Sequence, residues 1–298
     1  MYNETLKLDF IDSYVKSASG ASAYVYLFNT AEKYEVKYSK DISEFNDSEL
    51  HDFINDIQGF TVGTSQMTIS RVKSYVLWVK KNHKEINVSE SIYRISNIDI
   101  DDDKIRRSFV SNPLHLKLTL DSIFGSVKNN DLNNIFRCYL WMGYMGIPEQ
   151  DTIFVENDDV DFYNQYITYN GRQYMLYPES IPEFKSCVND TAFIINTNFY
   201  ERMYSRAPGN KIMRMVKTNN IKLANIRERF SKAVNQSYKS GNCKVSLTFK
   251  RIQKSGVYYR LYQLEYATQV MLPKHMFDNA GVDEKDYNKW KSAFYLSK

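Results

Sequence analysis

Residues Phe136–Phe162 read FRCYLWMGYMGIPEQDTIFVENDDVDF. From Leu132 to Met145 the chain is strongly apolar, with Ile135, Tyr139, Leu140 and Met142 prominent. That composition predicts a helix deep in a core rather than along a surface. Gly146 and Pro148 end it, because glycine accepts a left-handed cap and proline cannot continue a helix. After the acidic Asn157–Asp161, the segments Phe162–Tyr169 and Gln173–Tyr177 read as strands. Asn170-Gly171 stands between them, the dipeptide that a two-residue hairpin favours because both turn positions need positive φ.

Downstream, Pro178 and Pro182 flank the start of another helix, and Phe193–Ile195 reads as a short strand or a helix end. Helices are predicted at about Ile212–Val216, Ile221–Tyr238, Leu247–Ala267, Pro273–Ala280 and Glu284–Tyr295. Upstream, Asn112-Pro113 opens a helix over Leu114–Phe124. The charged run Asp99–Asp103 suits a linker better than a core, which divides the chain into residues 1–103 and 104–298. The first part reads as all helix. Leu6, Phe10, Ile11, Tyr14 and Val15 share one face. A second helix covers Ala21–Tyr38, and Asn46 or Ser48 caps a third over Glu49–Ile57. Thr64 or Ser65 starts a fourth, running to Asn82 with Ile69, Val72, Val76 and Val79 inward. A short helix near Val88–Ile95 follows.

At 298 residues the chain is long enough for two domains. Hydrophobic residues at 43% and charged residues at 25% suit a soluble globular protein and oppose disorder. The opening MYNETLKLDF has no basic or apolar signal region, and no apolar stretch is long enough to span a bilayer. Cys138, Cys187 and Cys243 are odd in number and form no C-x-x-C, so a reducing cytoplasm is expected. His51, His83, His115 and His275 show no ligand spacing, so neither metal nor other cofactor is expected.

Charge is segregated. Glu201–Arg260 holds fifteen Lys or Arg against two acids, +13 of a total of +4, which leaves −9 elsewhere. A second basic run within Thr64–Lys84 has no acid. Either run alone reads equally well as a solvated helix face. Two of them, one in each putative domain, favour a groove for a polyanion.

The order of a helical N-terminal bundle, an acidic linker, two helices, a small hairpin and a run of helices resembles the tyrosine recombinases, the family of phage integrases. Gly146 and Asp159-Val160-Asp161 match the ends of a family segment that holds a Gly-Leu-Arg turn and an Asp-Ile-Asp strand entry. Tyr166–Tyr177 resembles the hairpin bearing the family's catalytic lysine, and Val245–Tyr259 the helix that opens on H-x-x-R. The resemblance implies a fold that is mainly α with a small β-hairpin or sheet. It also implies a helical core-binding (SAM-like) domain followed by a mixed α+β catalytic-type domain.

In that family a tyrosine attacks a DNA phosphate, two arginines stabilise the phosphoryl charge, and a lysine and a histidine move protons. Here the first arginine falls on Pro148, which has no charge and no donor. The lysine falls on Arg172, which holds its proton too tightly to act as an acid. H-x-x-R falls on Lys250 and Gln253, with Arg251 the second arginine if the register shifts. The late histidine falls on His275, and the nucleophile on Tyr287, with Tyr295 as alternative. The resemblance therefore implies a degenerate, non-cutting site and double-stranded DNA as partner. Prophage-borne proteins of this kind are known, and the chain resembles the integrase-like master repressors of SPβ-type Bacillus prophages. A phage antirepressor or regulatory protein would be a further partner; a membrane is not expected.

The expected phosphate contacts are Arg71, Lys73, Lys80 and Lys81 from the first domain. From the second come Arg172, Lys211, Arg214, Lys217, Lys222, Arg227, Lys250, Arg251 and Lys254. Ser65, Gln66, Thr68 and Asn219 are candidates for reading bases. An active recombinase with divergent motifs and a protein-binding accessory factor stay open as other readings.

Overall fold

The computed structural model describes residues 1–57, 62–94, 109–125, 130–196, 201–215, 221–241 and 247–295. The chain forms two compact units, Met1–Ile105 and Arg106–Lys298. The expected linker Asp99–Asp103 lies outside the described residues.

The first unit is helical: α1 (Glu4–Tyr14), α2 (Ala18–Tyr38), α3 (Asp47–Ile57), α4 (Val62–Asn82) and the single turn α5 (Ser91–Arg94). Asn46 caps α3, as one of the two expected candidates. Its side chain accepts from the Glu49 amide at 3.0 Å while Glu49 accepts from the Asn46 amide at 2.9 Å, so two orphan donors are met reciprocally. Phe10, Phe28, Phe53, Val72, Tyr75 and Val79 are fully buried and fill the centre.

The second unit contains α6 (Pro113–Phe124), α7 (Asn130–Met145), α8 (Ile181–Asn189), α9 (Leu223–Lys239), α10 (Phe249–Thr268), α11 (Lys274–Ala280) and α12 (Glu284–Tyr295). Three strands, β1 (Val160–Asp161), β2 (Tyr166–Tyr169) and β3 (Arg172–Met175), form an antiparallel sheet in that order. The fold is thus mainly α with a small sheet, as expected. Asn170 and Gly171 take φ of 48° and 72°, and Tyr169 pairs with Arg172, the geometry of a type I′ hairpin.

α7 is the core helix that its composition demanded: Cys138, Tyr139, Leu140, Trp141, Met142 and Tyr144 are fully buried. It crosses α10 at two glycines. A Cβ on Gly256 would strike the Tyr144 carbonyl oxygen, and one on Gly143 would sit 2.7 Å from the Phe249 ring. α7 ends in a paired cap: the Gly146 amide donates to Gly143 at 3.0 Å and the Ile147 amide to Met142 at 2.9 Å, with Gly146 at φ 107°.

One expected helix needs correction. Ile212–Val216 is not helical over its described part, which ends at Met215. Ile212 and Met213 instead enter the core from a bent, irregular segment, where the Ile212 amide donates to the Val155 carbonyl and the Ala207 amide to the Met215 carbonyl. Of the two readings open for Phe193–Ile195 the strand is the one formed: β4 (Ala192–Asn196) pairs with β5 (Glu201–Ser205), which had no expectation attached to it. Cys138 and Cys187 are buried thiols with sulfurs 3.6 Å apart.

Candidate nucleic-acid interface

The turn after α7 and the start of α10 meet. Gln253 lies one turn into α10 and its Nε2 donates to the Ile147 carbonyl at 3.4 Å, one residue before Pro148. The positions matched to the family's two arginines are therefore brought together, and neither carries a charge. The residue after Pro148 is Glu149, which the sequence reading passed over. Its carboxylate takes a two-pronged contact from Arg227 on α9, Nε to Oε1 at 2.7 Å and Nη2 to Oε2 at 2.6 Å. The Tyr139 hydroxyl donates to Oε1 at 2.5 Å. Arg227, then Tyr139 and the nearby Lys250 hold the Glu149 carboxyl below its usual range. Burial, then the Glu149 charge, pushes the Tyr139 phenol up. Glu149 and Arg227 stand 78 residues apart, so no local pattern announces their contact. The only sequence signal was an acid directly beside the proline at the turn.

Tyr287 sits elsewhere. It is 1% exposed, packed against Tyr258, Phe277 and Trp290, and its hydroxyl donates to Glu265 at 2.5 Å. Glu265 lies twelve residues beyond Gln253 on α10, about 18 Å along the axis at the rise of a helix. Lys291 holds the other Glu265 oxygen at 2.7 Å. Tyr287 therefore ties α12 to α10. Tyr287→Phe should lower stability by about 1.5–3 kcal/mol in urea unfolding, the worth of a hydrogen bond to a charged acceptor. An unchanged unfolding midpoint would show that the bond contributes nothing. His275 is exposed on the first turn of α11.

The expected basic contacts divide into several groups. Lys81, Arg172, Lys222 and Lys250 are exposed, Lys73 is half-buried, and none of the five makes a salt bridge with a described residue. Arg71 is half-buried, with Nη2 against the Met67 sulfur at 3.3 Å. Lys80 pairs with Glu90 at 2.5 Å, and Lys254 with Asp286 at 3.0 Å. Lys211 lies over the Phe154 ring at 5.2 Å. Arg214 is committed to the fold rather than to a surface. It is 9% exposed and donates to the Gly209 and Cys187 carbonyls at 2.9 and 3.1 Å. Burial lowers the pKa of both Arg214 and Arg251. Lys217 and Asn219 lie outside the described residues. Ser65 is buried and so is misplaced as a base reader. No group of His, Cys, Asp and Glu among the described residues could hold a metal. No helix among them is long and apolar enough to cross a membrane.

Residues 1–81 match the family model described as MrpR, N-terminal core-binding domain. No curated protein matches. Among solved structures, the Tn1549 transposon integrase (residues 82–397), in complex with circular intermediate DNA, aligns over 99% of this chain and 95% of that one. The identity is 13% and the TM-score 0.40. The N-terminal unit is thus similar to a core-binding domain, a helical bundle joined here to a mainly α second unit with a small sheet.

Proposed function

We propose that this protein binds double-stranded DNA without cutting it, as a sequence-specific repressor of a prophage built on a silent recombinase-type body. The observation that carries the reading is the turn after α7. Where the resemblance calls for an arginine to hold phosphate, the chain has Pro148, and beside it a carboxylate that already occupies Arg227. An anion at that point repels a phosphate, and Gln253 offers only a neutral amide. Removing one donor from a charge-stabilising site costs roughly 10²–10³ in rate, so two missing arginines leave negligible cleavage. The match of residues 1–81 to a core-binding domain supports DNA as the partner. Affinity would come from the exposed lysines and arginines of both units, each displacing counterions from the duplex.

The test is a gel-shift over promoter fragments of the encoding genome, run beside a suicide-substrate cleavage assay. Specific retardation with no covalent adduct is the expected result. An adduct that disappears in Tyr287→Phe would establish the active recombinase instead. In the same assay, Lys222→Ala with Lys250→Ala should weaken binding and flatten the dependence of log K on log salt by about 2, at roughly 0.9 for each phosphate that is no longer neutralised. An unchanged slope would remove that surface from the interface.

A further inference from the structure

The turn after α7 gathers donors around one anion, and that anion is the chain's own. Three side-chain donors converge on the Glu149 carboxylate: Arg227 Nε and Nη2 at 2.7 and 2.6 Å, and the Tyr139 hydroxyl at 2.5 Å. The Nε–Nη2 edge of a guanidinium fits two oxygens of a phosphate as well as two of a carboxylate. Lys250, on the first turn of α10, brings a second positive charge near the same carboxylate. Glu228, the acid next to Arg227 on α9, is engaged by Lys232 at 2.6 Å.

The two cations are within reach of solvent. The Arg227 side chain is 56% exposed and Lys250 is exposed, whereas the Glu149 side chain is 16% exposed. An anion arriving from water can therefore meet both cations without entering the core. What stands in its way is Glu149, which takes the guanidinium edge and adds a negative charge. Removing that carboxylate would leave two cations and the Tyr139 hydroxyl without an anion between them.

We propose that Glu149 is a built-in stand-in for a DNA phosphate: it fills an oxyanion site made by Arg227, Tyr139 and Lys250, and so keeps Arg227 from the duplex. With the carboxylate gone, the site takes a phosphodiester of the DNA backbone. The source of that phosphate rests on the reading of DNA as the partner; the site itself is tested without DNA.

The experiment compares the full-length wild type, Glu149→Ala, and Glu149→Ala combined with Arg227→Met, in thermal melts followed by circular dichroism. Sodium phosphate is the probe, against sodium chloride at equal ionic strength. In chloride, Glu149→Ala should melt below the wild type, because Tyr139 and Arg227 lose their acceptor. Phosphate at a few times its Kd should restore roughly 2–4 °C. The wild type and the double variant should show no such recovery. A plain staple between α9 and the turn predicts the loss without the rescue, so equal melts of Glu149→Ala in the two salts would overturn the proposal. Glu149→Gln, which keeps the volume and removes the charge, replaces the alanine variant should that one not fold, and the same difference between the salts is expected of it.

The second arm is fluorescence anisotropy with a duplex of arbitrary sequence. Glu149→Ala should bind it more tightly than the wild type, with log K against log salt steeper by about 0.9, the mark of one more phosphate neutralised. Rescue by phosphate with an unchanged slope would put a free phosphate in the site and overturn DNA as its source. A steeper slope on every duplex, with no promoter fragment preferred, would support this inference and remove the sequence-specific repressor.

Discussion

Replacing Gly256 with alanine is expected to cost the second unit about 3 kcal/mol or more, at the upper end of overpacking penalties. The added methyl would fall on the Tyr144 carbonyl oxygen, which belongs to helix backbone and cannot swing aside. α7 and α10 would have to separate, and their crossing is the centre of the unit. Phe249 packs on Gly143 and Tyr139, and Arg260 Nη1 donates to that same Tyr144 carbonyl at 2.5 Å. The arginine meets an orphan carbonyl at the C-terminal end of α7 and complements the negative end of its dipole. Separation would weaken all of these together. For a unit of this size the melting temperature should fall by roughly 6–12 °C. Gly171→Ala is the control: its φ is +72° but nothing lies within 4 Å. It should lose only about 1 kcal/mol, the cost of left-handed backbone. Equal melts for the two variants would mean the helices do not approach as closely as described. The same crossing sets Gln253 against Ile147, so Gly256→Ala should also disturb the turn that carries Pro148 and Glu149.

What was legible in the sequence is what local rules decide. Asn170-Gly171 specifies its turn through backbone conformation alone. The run from Ile135 to Met145 specifies a buried helix because no face of it is polar enough for water. Asn46 specifies a cap through its own side chain. Ile212–Met215 misled because I-M-R-M has helical spacing, whereas Arg214 hydrogen-bonds to carbonyls at Cys187 and Gly209. Net charge had the same blind spot. Arg214, Arg227 and Lys254 counted toward a basic surface, yet each is bonded to a group distant in sequence. Glu149, Glu183 and Lys7 were invisible for the converse reason: a buried charge and a surface charge look alike until the partner is known. Tyr287 shows the limit of motif matching, since its place in the chain suited a nucleophile while its surroundings are those of a packed aromatic.

Lys7→Met should remove about 3–5 kcal/mol from the first unit at neutral pH, the usual cost of breaking a buried ion pair from one side. Lys7, Glu35, Asp41 and Tyr75 are all fully buried. Lys7 pairs with the Glu35 carboxylate and lies 3.9 Å from Asp41. Glu35 also accepts from the Ile42 amide at 2.9 Å, and Asp41 accepts from Ser43 Oγ at 2.7 Å and from the Tyr75 hydroxyl at 3.0 Å. One cation thus serves two acids and joins α1, α2 and α4. Burial raises the Glu35 pKa from 4.5 to about 7; Lys7 opposes the rise and Asp41 adds to it. Between those values the folded chain holds a proton that the unfolded chain has released, so stability falls as pH climbs from 4.5 through 7. The swing is about 3 kcal/mol at 1.36 kcal/mol per unit. Carboxyls held low, such as Glu149, act in the opposite sense but below the ordinary carboxylate range. Urea unfolding at about pH 5 and about pH 8 brackets the Glu35 window; His115 in the second unit, its pKa lowered by burial, acts there in the opposite sense, so the comparison with Glu35→Gln isolates Glu35. The wild type should be the more stable at the acid end, and Glu35→Gln should lose that slope. Lys7→Met should recover part of its deficit on acidification, because a protonated Glu35 no longer needs its cation. A Lys7→Met protein as stable as the wild type at the alkaline end would mean the three charges are not buried together.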